Sequence, residues 1–161
     1  MQKSAETGGK AKGRAAADEA PLDFGRIDDL LGYHLRRAQV VMFQDFADAM
    51  AETGVSPGQI GVLLLVAANP GVNQTTVGNA LGIDRSTLVS MLDRLEARKV
   101  IQRTPSPRDR RSHALVLTAK GQEFLATLMP RLDKHEARIA TRLSAAERAT
   151  LIGLLRRIDS R

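Results

Sequence analysis

Two short groups of residues have the types and spacing needed to contact a polyanion. The first lies on a segment with helical periodicity, in which the apolar residues Leu88, Met91, Leu92 and Leu95 are spaced to face inward. The residues left for solvent are Arg85, Ser86, Thr87, Ser90 and Arg94. A short polar helix end can enter the major groove of DNA, where Arg85 could pair with guanine O6 and N7 while the hydroxyls reach base edges or phosphates.

The second group is a basic turn between two segments of strand character. It comprises Arg108, Asp109, Arg110 and Arg111, and the prolines before it supply turn chemistry. Arginine suits a narrow minor groove because the negative potential there is enhanced. A carboxylate is an unusual choice in a phosphate-binding turn, so we interpret Asp109 as orienting a neighbouring arginine through a charge-assisted hydrogen bond.

Both groups also have a simpler interpretation. Asp84 and Asp93 accompany the first group, and carboxylates close to phosphates repel them, which favours an ordinary solvated helix end. As the N-cap, Asp84 is nevertheless expected to face its own backbone. Arg94 could pair with Asp93 or Glu96 as part of the scaffold. A charged turn by itself usually only keeps a protein soluble, but the pattern that precedes this turn favours a role in DNA binding.

That preceding pattern is typical of a helix-turn-helix unit. With Gln74 as its first position, apolar residues fall where such a unit needs packing, at Val77, Leu81, Ile83, Leu88 and Met91. Gly78 is small where the two helices would cross, and Gly82 lies at the turn, where a residue without Cβ adopts positive φ at no steric cost. An ordinary helical hairpin with a glycine turn is the alternative.

The apolar periodicity predicts a mainly α-helical chain with a small β-hairpin wing. The first helix carries more apolar surface than one contact face needs, so we expect it to pack against both the core and a second chain. Pro130 is expected to kink its helix rather than end it. In chain order the predicted elements are a helix over 22–50, a helix over 57–68, two short helices between 74 and 98, a hairpin over 101–104 and 113–117, and helices beginning after Thr118 and Ser144.

The charge balance favours a polyanionic partner. The chain has 24 Lys and Arg against 18 Asp and Glu, a formal net charge of +6, so nucleic acid leads the candidate partners and an anionic membrane surface is the rival. No apolar run is long enough to span a bilayer. Residues 1–21 lack the apolar stretch of a secretory signal and are predicted to be a disordered tail, which indicates a cytoplasmic protein.

Enzyme and metal chemistry are not expected. The sequence contains neither the phosphate-loop pattern GxxxxGK nor the metal-binding pattern HExxH. It has no cysteine, and His34, His113 and His135 lack ligand spacing, so no metal or other cofactor is expected. Regulation by thiol oxidation is excluded by the same absence of cysteine.

The segment 56–121 resembles the MarR family of regulators. The resemblance is carried by "SPGQIGVLLLVAANPG", by "TTVGNALGIDRSTLVSMLDRLEARKVIQR" and by "DRRSHALVLTAKG". The most specific signature, Asp-x-Arg followed by Leu-Thr-x-x-Gly, falls on Asp109, Arg111, Leu117, Thr118 and Gly121. Together with the flanking helices, the resemblance covers nearly all of the chain after the tail.

The resemblance implies a homodimeric winged helix-turn-helix protein. It implies one domain over 22–161, in which 22–53 and 122–161 form dimerisation helices and 56–121 forms the DNA-binding part. A symmetric dimer would place its two recognition helices about 34 Å apart, which predicts a pseudo-palindromic operator in double-stranded DNA.

Many members of the family are released from DNA by small phenolic or carboxylate compounds, so a small-molecule effector is also implied. Candidate contacts in the first helix are Tyr33, His34, Arg36 and Arg37. His34 lies on the apolar stripe, where a histidine is more often a satisfied core residue than a ligand contact. A partly buried Arg37 needs an anion, which an effector could supply. The alternative is a salt bridge to one of Asp45, Asp48 and Glu136. Similarity to relatives with this kind of first helix favours an aromatic acid or its coenzyme A thioester.

Together these features predict a sequence-specific DNA-binding transcriptional regulator, a repressor released by its effector. A nonspecific or architectural DNA-binding protein would explain the basic charge equally well. A helical protein-interaction adaptor whose wing has lost contact with DNA is the third hypothesis.

Overall fold

Helices make up most of the part of the chain that the structure describes. The structure is a computed structural model and describes residues 22–105 and 113–159. The prediction of a mainly α-helical chain with a small β wing is confirmed. In chain order the elements are a short 3-10 helix (Gly25–Asp29), α1 (Leu31–Met50), α2 (Pro57–Ala68), β1 (Val72–Asn73), α3 (Gln74–Leu81), α4 (Arg85–Ala97), β2 (Ile101–Pro105), β3 (His113–Leu117), α5 (Ala119–Ile139) and α6 (Ala145–Asp159).

Side-chain caps begin several of these helices, as the sequence predicts. Ser56 accepts a hydrogen bond from the N–H of Gln59, whose side chain accepts one from the N–H of Ser56, and this capping box starts α2. The side chains of Asp84, Thr118 and Ser144 each accept from the N–H three residues later, at the starts of α4, α5 and α6. Local sequence signals therefore determine where these helices begin.

The first predicted helix is in fact two separate pieces. Gly25 has a φ of +50°, and its N–H donates to Asp23 Oδ1 at 2.8 Å, so the chain turns before it enters the 3-10 helix. Leu30 is extended, with a ψ of 116°, and its carbonyl accepts from N–H groups in the first turn of α1. The prediction of one continuous helix over 22–50 was wrong, because a left-handed glycine and an extended residue interrupt a pattern whose apolar spacing continues across them.

Three antiparallel strands form the sheet, in the order β1-β3-β2. Strands β2 and β3 make the predicted hairpin, with a register that runs from Ile101 opposite Leu117 to Pro105 opposite His113. Strand β1 has only two residues and pairs with the other edge of β3. Strand β1 was not predicted, because two residues cannot show a period-two pattern.

Helix α2 lies at the centre of the hydrophobic core. Its residues Val62, Leu63 and Val66 are fully buried, and the helix is apolar on nearly all sides, as expected of a helix surrounded by other elements. The core residues contributed by the surrounding segments are Phe46, Met50, Val55, Val77, Leu88, Leu92, Leu95, Val100, Ile101, Leu115 and Leu128.

A charged network holds α1 to α5. Asp45 on α1 lies 2.5 Å from His135 Nδ1 and accepts two hydrogen bonds from Arg138, from Nε at 2.7 Å and from Nη2 at 3.0 Å. These two partners, Arg138 first and His135 second, lower the pKa of Asp45 to about 2. His135 is buried and its ring lies edge-on to Phe46. The buried imidazole thus has a hydrogen-bond partner, as buried polar groups generally do.

The start of α5 contacts the backbone between α4 and β2. Lys99 has a left-handed conformation, with a φ of +59°, and its carbonyl accepts from the Thr118 hydroxyl at 2.7 Å. The N–H of Thr118 donates to the carbonyl of Val100 at 3.2 Å. A Cβ added to Gly121 would lie 1.9 Å from that same oxygen. Helix α5 approaches so closely because residue 121 has no side chain.

We expect Gly121→Ala to lower the free energy of unfolding by about 3 kcal/mol, at the upper end of the usual cost of overpacking. The added methyl group would meet a backbone carbonyl, which cannot rotate away as a flexible side chain can. Urea denaturation followed by circular dichroism, at one fixed protein concentration, measures the loss.

Lys120→Ala is the neighbouring control, since Lys120 is exposed on the first turn of α5 and lies outside the predicted dimerisation helices. Exposed substitutions usually change the free energy of unfolding by less than about 0.5 kcal/mol, so this variant should be nearly as stable as the parent. Equal losses in the two variants would contradict the close contact at residue 121.

Candidate DNA interface and effector surface

The polar row predicted on α4 is exposed. Leu88, Leu92 and Leu95 are buried and Met91 is partly buried, so the opposite side of the helix is free. All five residues of the row are exposed, namely Arg85, Ser86, Thr87, Ser90 and Arg94. By helical spacing, Ser86, Thr87, Ser90 and Arg94 share one side of α4, and Arg85 lies on the flank that faces α3. The structure thus places four of the five in the first two turns of the helix, and Arg94 follows one turn after Ser90.

The carboxylate at the start of α4 is directed to its own helix. Asp84 Oδ1 accepts from the N–H of Thr87 at 2.9 Å and from the hydroxyl of Ser86 at 2.5 Å. These hydrogen bonds, that of Ser86 first, hold the pKa of Asp84 far below its usual range. The Ser86 proton is therefore occupied, and Ser86 can offer a DNA partner only its acceptor lone pairs, whereas Arg85 and Thr87 keep free donors.

Arg85 lines a groove between α3 and α4 that the sequence analysis did not include. The groove has a volume of about 130 Å³, and Gln74, Thr75 and Asn79 supply its polar lining from α3. Thr75 and Asn79 are exposed and one helical turn apart. Their spacing around the buried Val77 was a usable signal for a second polar face beside the recognition helix.

Arg94 has no ion pair within the described part of the chain, because the neighbouring carboxylates bind another residue. Arg103 on β2 contacts Asp93 through Nη2, and its Nε lies 3.5 Å from Glu96 Oε2. The simpler interpretation of Arg94 as a scaffold residue paired with Asp93 or Glu96 is therefore wrong. The role of Arg103 was missed, since only the folded hairpin brings it to α4.

The base of the wing is in place, and its predicted basic tip lies outside the described residues. The hairpin pairing ends with Pro105 opposite His113, and His113 is exposed. The predicted contacts Arg108, Asp109, Arg110 and Arg111 all fall within residues 106–112.

A GxSxG pattern, which in many serine hydrolases marks the nucleophile, is present at residues 54–58 but has a structural role. Ser56 is the N-cap of α2, and its Oγ accepts the N–H of Gln59 at 3.3 Å. No described histidine bonds Ser56: His34 bonds the Asp28 carbonyl and His135 bonds Asp45. The serine therefore lacks the base that an activated nucleophile needs.

The four predicted effector contacts lie on the first two turns of α1 but do not converge. The Tyr33 ring contacts the ring of His34 edge-on, and the ring of Phe24 lies 6.2 Å away. His34 is exposed rather than part of the core, and its Nε2 lies 2.6 Å from the Asp28 carbonyl. Arg36 donates to Gln39 at 3.2 Å along the helix. Arg37 lies one turn after Tyr33.

Arg37 lines a groove between α1, the end of α5 and α6. The groove has a volume of about 770 Å³ and is mainly apolar, with Leu35, Met42, Ile139, Leu143, Leu151, Ile152 and Leu155 among its lining residues. Arg37 is exposed, so the expectation that it is partly buried was wrong, and it has no ion pair within the described residues. Two of its three alternative partners are bound elsewhere, Asp45 by His135 and Arg138, and Glu136 by Arg148.

Comparison with known proteins identifies the family. The sequence profile of the MarR family matches residues 53–112. A protein of Thauera aromatica assigned to regulation of the hcr operon is 40% identical over 151 residues, which are 92% of this chain and 91% of that protein. The chain belongs to the MarR family.

Solved structures of relatives agree with this assignment and with the winged helix fold. The repressor CouR bound to a 23-mer DNA duplex is 44% identical to this chain, with a TM-score of 0.82. The match covers 87% of this chain and 99% of the CouR chain. CouR bound to p-coumaroyl-CoA is 42% identical, with a TM-score of 0.77, and the match covers 86% of this chain and 98% of the CouR chain. Since these relatives are transcriptional regulators, the expectation of a regulator rather than an enzyme is confirmed.

The MarR-family chain exposes a wide apolar surface on α1 and α6. Every residue of α6 is exposed, so no side chain of this helix is fully buried against the rest of the described chain. The large apolar residues exposed on the two helices are Leu31, Val41, Phe43, Leu151, Ile152, Leu154, Leu155 and Ile158. A large exposed apolar surface normally marks an interaction site.

The described residues form neither a metal site nor a membrane span. No three His, Asp or Glu side chains among residues 22–105 and 113–159 are placed to hold a metal ion together. None of the helices in these ranges combines the length and apolarity needed to cross a membrane.

We expect Asp84→Ala to lower Tm by about 3 °C, because it leaves the N–H of Thr87 without its cap at the start of the recognition helix. Asp84→Asn should lower Tm by less than about 1 °C, since asparagine caps a helix nearly as well as aspartate. Thermal unfolding followed by circular dichroism at a fixed protein concentration compares the two. If the asparagine variant lost as much as the alanine variant, the charge of Asp84 rather than its cap would be what stabilises α4.

Proposed function

We propose that this MarR-family chain is a homodimeric repressor that binds a pseudo-palindromic DNA operator and is released by a small effector. The observation that carries the proposal is the exposed polar row on α4, which lies beside the base of the wing and is free of competing intramolecular ion pairs. The 44% identity to CouR, a repressor solved with a DNA duplex, supports it. Because the proposed partner is DNA, we expect the protein in the cytoplasm.

The proposed DNA contacts divide into base and phosphate contacts. Arg85 and Thr87, at the N-terminal end of α4, have free donors and are the candidates for base edges in the major groove. Ser86 can accept, and Ser90 can accept or donate, at bases or phosphates. Arg94 lies two turns farther along α4 and is the candidate for a phosphate, which fixes register without specifying sequence.

The basic turn after β2 is the proposed minor-groove contact. Its arginines are Arg108, Arg110 and Arg111, and Asp109 is proposed to orient one of them. The hairpin base supports this proposal, since β2 and β3 pair along five residues and lead into the turn from the side of the domain that carries α4.

A second copy of the chain is the proposed cover for the exposed apolar surface. A 15-residue helix is marginal in water without tertiary packing, yet α6 has no buried residue in its own chain. The proposed domain organisation follows: residues 22–53 and 122–161 pair with the same segments of a partner, residues 56–121 bind DNA, and residues 1–21 are a tail outside the domain. Two-fold symmetry would then present two recognition helices about one DNA turn apart.

The proposed effector is an aromatic carboxylic acid or its coenzyme A thioester. Arg37 is the favoured anion contact, because it lines a mainly apolar groove and has no ion pair in the described residues. The proposed set also includes Tyr33, one turn earlier, and His34 and Arg36, although these three residues do not line the groove in the described chain. The structure of CouR with p-coumaroyl-CoA supports the choice of ligand class.

Side-chain contacts offer a route from this surface to the DNA-binding part. Arg98, at the end of α4, donates to the carbonyl of Thr53 at 3.0 Å and lies 4.5 Å above the ring of Phe124 on α5. A cation over an aromatic ring and a hydrogen bond thus join the recognition helix to the segment after α1 and to α5. An effector that binds better when α1 and α5 are displaced would weaken DNA binding. By linkage, DNA would weaken the binding of the effector by the same factor.

We expect Arg85→Ala and Arg94→Ala to weaken DNA binding in different ways. The probe is a duplex that the wild-type chain selects from a random pool of duplexes about two DNA turns long, compared with a shuffled duplex of the same composition. Arg85→Ala should lower affinity for the selected duplex by about 10- to 100-fold and relax its sequence preference. Arg94→Ala should weaken binding to both duplexes alike and reduce the slope of log K against log salt by about 1.

Fluorescence anisotropy at several salt concentrations measures both effects. A wild-type chain that binds the selected and shuffled duplexes equally would support the architectural DNA-binding protein and overturn the repressor proposal, since a regulator should show a specificity ratio of roughly 10³ or more. Absence of any DNA binding would support the adaptor hypothesis.

We expect p-coumaroyl-CoA to raise the Tm of the wild-type chain and to release it from the selected duplex. Arg37→Met should lower the affinity for this ligand by at least about tenfold, because a charge-assisted contact is lost. Thermal shift and anisotropy titrations with p-coumaroyl-CoA, p-coumarate and free coenzyme A separate the contributions of the aromatic and nucleotide parts.

Lys134→Met is the matched control, since it removes the same charge from an exposed position on α5 that does not line the groove. It should respond to p-coumaroyl-CoA as the wild type does. A response in Arg37→Met equal to that of the control would argue against Arg37 as the anion contact.

A further inference from the structure

Arg103 has no part in the proposed DNA contacts, yet it binds the recognition helix. We propose that Arg103 is a positioning residue for DNA binding: it pairs with Asp93 and Glu96 on α4 and so offsets one of their two negative charges beside the DNA-facing surface, without touching DNA itself. The inference rests on the proposed function, because it concerns the charge of the surface that would meet DNA.

The contacts of Arg103 fix its guanidinium group in one place. Its Nη2 bonds Asp93, its buried Nε lies 3.5 Å from Glu96 Oε2 as an ion pair without a hydrogen bond, and its backbone N–H donates to Glu96 Oε1 at 3.2 Å. The Arg103 side chain is only 18% exposed. Exposed ion pairs between mobile side chains contribute little to stability. Arg103 differs from such residues because its side chain is mostly buried and its backbone N–H also binds Glu96.

The position of Arg103 in the sheet explains the backbone contact. In the order β1-β3-β2, strand β2 is an edge strand, so one of its edges has no strand partner. Arg103 lies in the middle of β2, opposite the fully buried Leu115. Its N–H is satisfied by Glu96, which uses an otherwise unpaired edge group to hold the strand against α4.

The carboxylates that Arg103 binds would otherwise disturb DNA binding. Asp93 and Glu96 are three residues apart on α4 and are therefore neighbours, and like charges at this spacing destabilise a helix. Asp93 is also one turn after Ser90, a proposed DNA contact, and its side chain is 60% exposed. Without Arg103, two negative charges would lie beside the phosphates and repel them at short range, where salt screens little.

The test compares Arg103→Met with the triple variant Asp93→Asn/Glu96→Gln/Arg103→Met. The probe is the duplex selected by the wild-type chain from the random pool, and the readout is anisotropy over a range of salt concentrations. We expect Arg103→Met to lower affinity about tenfold and the triple variant to recover affinity to within about threefold of the wild type. The salt slope of the triple variant should equal that of the wild type, since no phosphate contact is lost.

Two outcomes would overturn the inference. If the triple variant stays as weak as Arg103→Met and its salt slope falls by about 1, Arg103 contacts a phosphate directly. If Arg103→Met binds the selected duplex with the affinity of the wild type, Asp93 and Glu96 do not weaken DNA binding when Arg103 is absent. Arg103→Lys keeps the test decisive should Arg103→Met fail to fold: it retains the charge without the guanidinium geometry, and an unchanged salt slope is expected.

Arg131→Met is the matched control for charge. Arg131 is also an ion-paired arginine, bound to Glu52 at 2.7 Å between α5 and the end of α1, and it lies outside the proposed DNA surface. Its loss should leave affinity for the selected duplex unchanged, whereas an equal tenfold loss would show a general effect of net charge and overturn the inference. A wild-type chain that selects no duplex would overturn the proposed function itself, which distinguishes the two failures.

Discussion

The backbone contact between α5 and the residues after α4 determines how the elements around the recognition helix are arranged. Gly121 lets α5 lie against the carbonyl of Val100, and Thr118 bonds the carbonyl of Lys99. Since α4 ends and β2 begins at this point, one contact fixes the recognition helix, the hairpin and α5 together. The other end of α5 lies against α1, where Arg138 of α5 donates to Asp45. A displacement of α5 would therefore also displace the recognition helix.

Local signals predicted much of this fold, and contacts between distant segments were what the sequence could not reveal. The caps at Ser56 and Asp84 and the left-handed Gly82 involve neighbours a few residues away, so their chemistry is visible in the sequence. The break at Leu30 was hidden because the apolar spacing continues through it. The binding of Arg103 to α4 depends on where the hairpin folds, which no periodicity describes.

The net charge of +6 indicates a polyanionic partner but not which cations meet it. Within the described residues, several arginines are used to hold elements together, as Arg103 holds β2 to α4 and Arg138 holds α5 to α1. Arg37, Arg85 and Arg94 carry no ion pair there and are among the cations available to ligands. The division between structural and available arginines depends on where folding places the carboxylates, which the sequence alone does not reveal.

The exposure of α6 has a consequence for the stability of the protein in the cell. A helix with no fully buried residue in its own chain gains little stability until another surface covers it, so folding and assembly are coupled. At low abundance, a larger share of the chains would be unpaired, with apolar surface open to chaperones and proteases. Degradation of unpaired chains would then set a lower limit on the concentration at which the regulator persists, before any effector or operator is involved.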